Sequence, residues 1–148
     1  MHQIFRFFTL IFLTSLTSFA QVEYGKPDEL RKLNKVFVDT GGDMKSRERI
    51  QEVVEKADLG IKLLDSEEGA EIVLVFGAGK EKHLRGGSGS IVTEVRNVGD
   101  GAIYVIRDGK RRVVASYEGE EKWLWEKKPA TNFGKMFVKV WKKANGLD

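Results

Sequence analysis

Two spacings of apolar residues divide this chain. Lys35-Val36-Phe37-Val38-Asp39 is a short β-branched and aromatic run closed by Thr40-Gly41-Gly42, which predicts a strand. Behind it, Ile50, Val53, Val54 and Ala57 recur at i, i+3, i+4 and i+7 within residues 44–58, one face of a helix. Asp43 is placed to cap that helix and Gly60 to end it. Residues 61–65 and 71–76 (EIVLVF) predict a second and third strand, joined tightly through 66–70. Residues 77–90 are Gly-rich and basic and are expected to form a loop. Residues 91–98 alternate Ile91, Thr93 and Val95 with Glu94 and Arg96, the pattern of a half-exposed strand. Gly99-Asp100-Gly101 is expected to turn the chain into a strand over 102–107. Asp108-Gly109 is a strong hairpin signal and leads into a last strand over 111–118. Phe133, Phe137, Val140, Trp141 and Ala144 share one face of a helix from about Asn132 to Ala144, with Thr131 or Asn132 as its cap and Asn145-Gly146 as its stop.

This order, β-α-β-β-β-β-β-α, predicts an α+β fold, a two- or three-layer α/β sandwich on one mixed sheet. A parallel crossover comes first and an antiparallel meander follows. The first and third strands are apolar on both faces, so each expects cover on both sides. Two helices supply that cover only from opposite faces. If they share a face, the other is left for a partner, a second copy or the polar lead-in over 21–34, where a helical turn is expected at 28–33.

Residues 1–20 (MHQIFRFFTLIFLTSLTSFA) change the picture. One cation, Arg6, precedes an apolar stretch, and the segment closes on Ser18-Phe19-Ala20, which reads as a signal peptide cleaved between Ala20 and Gln21. The stretch is too short for a membrane span, so no transmembrane anchor is expected. The chain then divides into a signal peptide (1–20), a lead-in (21–34) and a single domain (35–148), exported to the periplasm or the medium. Loss of the leader leaves 24 Lys and Arg against 22 Asp and Glu, too even a balance to point to specific nucleic-acid binding. There is no cysteine, which removes thiol chemistry, a lipid-anchoring N-terminal Cys and Cys-ligated metal. Past the leader His83 is the one histidine, which leaves no multi-His metal site within one chain. No Asn lies in an Asn-x-Ser/Thr pattern, in keeping with a bacterial origin. Neither a cofactor nor a metal is expected.

Four local patterns carry candidate chemistry. Asp39-Thr40-Gly41 resembles the Asp-Thr-Gly signature of aspartic proteases, which need two carboxylates around one water and so a dimer here. The motif runs into an amphipathic helix, which favours a strand end, a turn and a cap over a hydrolase. Gly77-Ala78-Gly79-Lys80 lacks the spacing and the hydroxyl of a phosphate loop. Lys80, Lys82, His83 and Arg85 form one basic cluster and Lys110, Arg111 and Arg112 a second. In a simple meander both fall at one end of the sheet and make an anion-binding rim. Trp123 and Trp125 share one side of an extended segment, as core packing or as a partner-binding patch.

The segment Val36-Phe37-Val38-Asp39, the helix over 47–57, Ile61-Lys62-Leu63-Leu64-Asp65 and Ala70-Glu71-Ile72-Val73-Leu74 resembles a group of bacterial envelope domains. These are the TolB N-terminal domain and domains of curli-secretion-type outer-membrane lipoproteins. The strand, Asp-Gly-Lys turn and strand over 104–117 fit the same pattern. The resemblance implies an α/β domain serving as an assembly or regulatory module with no catalytic centre. It assigns no functional residue, and the lipobox cysteine of the lipoproteins is missing. The expectation is an exported, non-enzymatic binding or assembly accessory of the cell envelope. Its partner would be an envelope or extracellular protein, with a homodimer left open. The alternatives are a dimeric aspartic hydrolase at Asp39 and a polyanion- or anionic-surface-binding protein.

Overall fold

The structure is a computed structural model that describes residues 22–87, 90–120 and 128–148. Six strands form one mixed sheet: β1 (Glu23–Tyr24), β2 (Lys35–Asp39), β3 (Lys62–Leu64), β4 (Ile72–Gly87), β5 (Ser90–Arg107) and β6 (Lys110–Glu120), in the order β1-β6-β5-β4-β2-β3. A single 3-10 turn (Pro27–Leu30) follows β1. The helices are α1 (Met44–Lys56) and α2 (Pro129–Ala144). β2 pairs in parallel with both β3 and β4, and β4, β5 and β6 form the antiparallel meander. The α+β class and the parallel β2-α1-β3 crossover are as the sequence predicts.

Both helices lie on one face. Ile50 and Val54 of α1 and Phe133, Phe137 and Trp141 of α2 bury against Val36, Val38, Ile72, Leu74, Phe76, Ile103 and Val105 in a single core. The strand residues in that set are every second position, so the whole stripe faces the helices. The lead-in joins the same side. Leu30 is fully buried in this core, and Trp141 Nε1–H donates to the Leu33 carbonyl at 2.8 Å. Among the described residues the result is two layers, with the far face of the sheet left without a helix.

Three local expectations are corrected. The Gly-rich segment after Phe76 is strand, not loop: β4 runs on to Gly87 and pairs residue by residue with β5 down to Gly87 opposite Ser90. Gly99-Asp100-Gly101 is not a turn, and β5 is continuous through it. These glycines serve close approach. A Cβ on Gly101 would stand 2.6 Å from the Phe133 ring, and one on Gly99 would overlap the Phe76 ring and lie 2.9 Å from Pro129. Third, α2 begins at Pro129, three residues before Asn132, with Lys128 as N-cap and no side-chain cap, so neither Thr131 nor Asn132 caps it. The fixed φ of Pro suits the first helical position. Asp108 and Gly109 take φ of 52° and 73°, which makes the predicted tight hairpin.

β3 and β4 flank β2, so residues 65–71 cross it, on the face away from the helices. The crossing is pinned by Glu71, whose Oε2 accepts from the Asn34 amide at 2.9 Å and the Lys35 amide at 3.1 Å. These bonds, the Asn34 one foremost, hold its carboxyl below the ordinary value of 4.5, against a smaller upward push from burial. The unfolded chain therefore takes up this proton first on acidification. The stabilisation is complete at neutral pH and is lost as pH falls through the depressed folded value. Urea midpoints should drop as pH falls below about 5, and Glu71→Gln should be less stable at neutral pH with a flatter acid limb. An unchanged acid limb in Glu71→Gln would remove this carboxylate from the account.

Candidate functional site

The turn between β2 and α1 is built from its own side chains. Asp39 Oδ1 accepts from the Gly41 amide at 3.1 Å, and Thr40 Oγ1–H donates to the Asp43 carbonyl at 2.7 Å. Gly41 and Gly42 have φ of 60° and 93°, the left-handed region that glycine adopts without a Cβ clash. Asp43 then caps α1, as expected: Oδ1 accepts from the Ser46 amide at 3.2 Å and Oδ2 from the Ser46 hydroxyl at 2.6 Å. The Ser46 hydroxyl and amide hold the Asp43 carboxyl below its ordinary range. Asp39 thus ends a strand and fastens a turn.

α2 starts at the same end of the sheet and leaves an open cleft of about 440 Å³ between itself, α1 and β4. Its walls carry Lys45, Arg49, Lys80 and Lys128, against one carboxylate, Asp43, already engaged with Ser46. Phe76, Ala78, Pro129 and Ala130 supply an apolar floor. Lys45, Lys80 and Lys128 are exposed and make no ion pair with another described residue. Neither helix has an acid in its first turn. The cleft is therefore a concave, positively charged surface over an apolar base.

The opposite sheet face has a different character. Its central row is Leu64, Phe37, Val73, Tyr104 and Val113, set by the register of neighbouring strands. Val73 is fully buried there, while Phe37, Val75, Ala102, Tyr104 and Ile106 are half-buried. Two guanidinium groups cover part of it: Arg47 lies 5.4 Å from the Phe37 ring centroid and Arg111 5.6 Å from that of Tyr104. Arg111 is tied down by Glu67 of the crossing segment at 2.7 Å. Toward the end where α1 starts, Asp39, Asp100 and Glu118 share this face, which gives it an acidic margin.

The two basic clusters do not share an end of the sheet, contrary to expectation. Lys80, Lys82, His83 and Arg85 lie along β4 toward its tip, and Lys80 lines the cleft. Lys110, Arg111 and Arg112 begin β6 at the other end of the sheet, about 30 Å away at ~3.3 Å per residue. Because β5 does not turn at residues 99–101, the meander has one reversal fewer, and the Asp108-Gly109 hairpin moves to the opposite end. The second cluster is also spoken for: Arg111 pairs with Glu67, and Arg112 meets Glu29 at 3.3 Å and the Tyr24 carbonyl at 3.3 Å. Trp123, Trp125, Ala20 and Gln21 lie outside the described residues. No group of three or more His, Asp or Glu able to hold a metal occurs among the described residues. Sequence reasoning missed Lys45, Arg49 and Lys128. Pro129, as a first-helical-position proline, was the available signal for where α2 begins.

No family model matches this sequence, and no curated protein matches it either. Among solved structures, the chain is similar to a PDZ domain protein from Parabacteroides distasonis, with TM-score 0.44 and 11% identity over 75% of this chain and 32% of that one. It thus spans about a third of that protein's length. It is also similar to PelC from Paraburkholderia phytofirmans, a dodecamer, with TM-score 0.44 and 11% identity over 84% of this chain and 94% of that one. A third is a minor lipoprotein from Acinetobacter baumannii, with TM-score 0.40 and 9% identity over 76% of this chain and 93% of that one. No helix among the described residues is long and apolar enough to cross a membrane.

Proposed function

We propose that this protein is an exported, non-enzymatic accessory of the bacterial cell envelope that binds another envelope protein through the helix-free face of its sheet. One observation carries the reading. α1, α2 and the lead-in all cover the same face, so strands that are apolar on both sides leave Phe37, Val75, Tyr104 and Ile106 half-buried on the other. A sheet face of that composition is stabilised by cover. The acidic margin of Asp39, Asp100 and Glu118 favours a partner with an apolar centre and a cationic rim. The leader at 1–20 supports export, and the engagement of Asp39 in its own turn supports a structural role for the Asp-Thr-Gly segment. Trp123 and Trp125 are proposed as a second contact.

The test is chemical crosslinking of the full chain, residues 1–148 with a C-terminal tag, in the envelope fraction of the native host, with captured proteins identified by mass spectrometry. The expected result is one specific partner, lost in Val75→Glu and weakened in the Trp123→Ala/Trp125→Ala pair, each variant first shown to keep its circular dichroism spectrum. A partner captured equally by wild type and Val75→Glu would rule out the sheet face. Retention of the uncleaved chain in the cytoplasm would rule out export.

A further inference from the structure

We propose that the cleft between the starts of α1 and α2 is a binding site for an organic phosphate, a dianionic head on a compact apolar body. The site lies on the helix-bearing side of the sheet and is separate from the face assigned to a protein partner. Lys45 and Arg49 come from α1, Lys80 from β4 and Lys128 from the N-cap of α2, and all four converge on one concave surface of about 440 Å³. That volume falls in the range of small-ligand pockets. The one carboxylate on the wall, Asp43, accepts from the Ser46 amide and hydroxyl, so against four cations it leaves an excess of three.

The local sequence choices are poor for stability alone. A lysine at the N-cap of α2 supplies no side-chain acceptor to the helix amides and sets a cation at the positive end of the helix dipole. Lys45 adds another in the first turn of α1. Like charges gathered in a cleft repel one another, and departures from local consistency of this kind concentrate at functional sites. A bound dianion reverses each of these terms. Phosphate suits the cluster because ammonium and guanidinium groups give charge-assisted hydrogen bonds to its oxygens. The floor of Phe76, Ala78, Pro129 and Ala130 gives the remainder of the ligand an apolar seat, which inorganic phosphate cannot use.

The experiment is isothermal titration of residues 21–148, which hold every described element, with phenyl phosphate and with inorganic phosphate. Phenyl phosphate should bind more tightly, and added salt should weaken it. Lys80→Gln and Lys128→Gln should each lower its affinity about tenfold. Lys110→Gln, at the far end of the sheet, should leave it unchanged. Cosedimentation with phosphatidic acid vesicles identifies the source: sedimentation that Lys80→Gln abolishes places the phosphate on a lipid, and none places it on a soluble ester. Absence of phenyl phosphate binding, equal affinity for inorganic phosphate, or binding untouched by both Lys80→Gln and Lys128→Gln would overturn the proposal. Val75→Glu should retain phenyl phosphate binding, so failure of this site and failure of the partner face are read separately.

Discussion

Phe133→Ala should lower the unfolding free energy by about 3–5 kcal/mol, the largest loss expected from any single truncation in this molecule. Phe133 is fully buried. Its ring stacks on Phe76 at 5.5 Å between centroids and tilts against Tyr117 at 5.7 Å, so it joins α2 to β4 and β6 at once. It also fills the space over Gly101. Removing it leaves a cavity between α2 and the strands, and neither can collapse into it without separating from the rest of the core. Urea denaturation at neutral pH measures the effect. A loss of about 1 kcal/mol or less would mean that α2 is not seated on the strands as described.

Gly101→Ala is expected to cost about 1–3 kcal/mol although it adds a single methyl group. The new Cβ would sit 2.6 Å from two carbons of a ring that is itself enclosed. Either the ring leaves its rotamer or α2 lifts from β5. If this is the mechanism, shortening the opposing side chain should relieve it. The double variant Gly101→Ala/Phe133→Leu should be more stable than the sum of the two single changes predicts, by an interaction energy on the order of 1 kcal/mol. Strict additivity would show that Gly101 is required for a reason other than the space it leaves the Phe133 ring.

That ambiguity marks where the sequence could and could not be read. β2, α1, β3 and the start of β4 were legible because their spacing is unambiguous and Asp43 serves one local purpose; Gly60 does not end α1 as expected, since the helix stops at Lys56 with Ala57 as C-cap and Asp58 at φ 48°. The Asp108-Gly109 hairpin was legible for the same reason. Gly99 and Gly101 were not, because a glycine that relieves crowding from a residue 32 positions away looks like a glycine that turns the chain. One misread turn then displaced the whole second basic cluster, since each reversal in a meander decides which end the next hairpin occupies. The cleft was legible only through Lys80. Its other cations come from the starts of two helices that meet only after folding, and Lys128 was hidden by the expectation that α2 starts at Asn132 and not Pro129. The question of which sheet face the helices cover was open in the sequence, because a two-sided apolar strand reads the same with cover above, below or from another molecule.

The central claim is that the helix-free sheet face carries the partner, and in-cell photo-crosslinking tests it most directly. A photoreactive amino acid would replace Tyr104 on that face or, as the comparison, Lys139 on the exposed side of α2. The account predicts one discrete crosslinked product from position 104 and none from position 139. Crosslinks of equal yield at both positions, or a product from 139 alone, would contradict it.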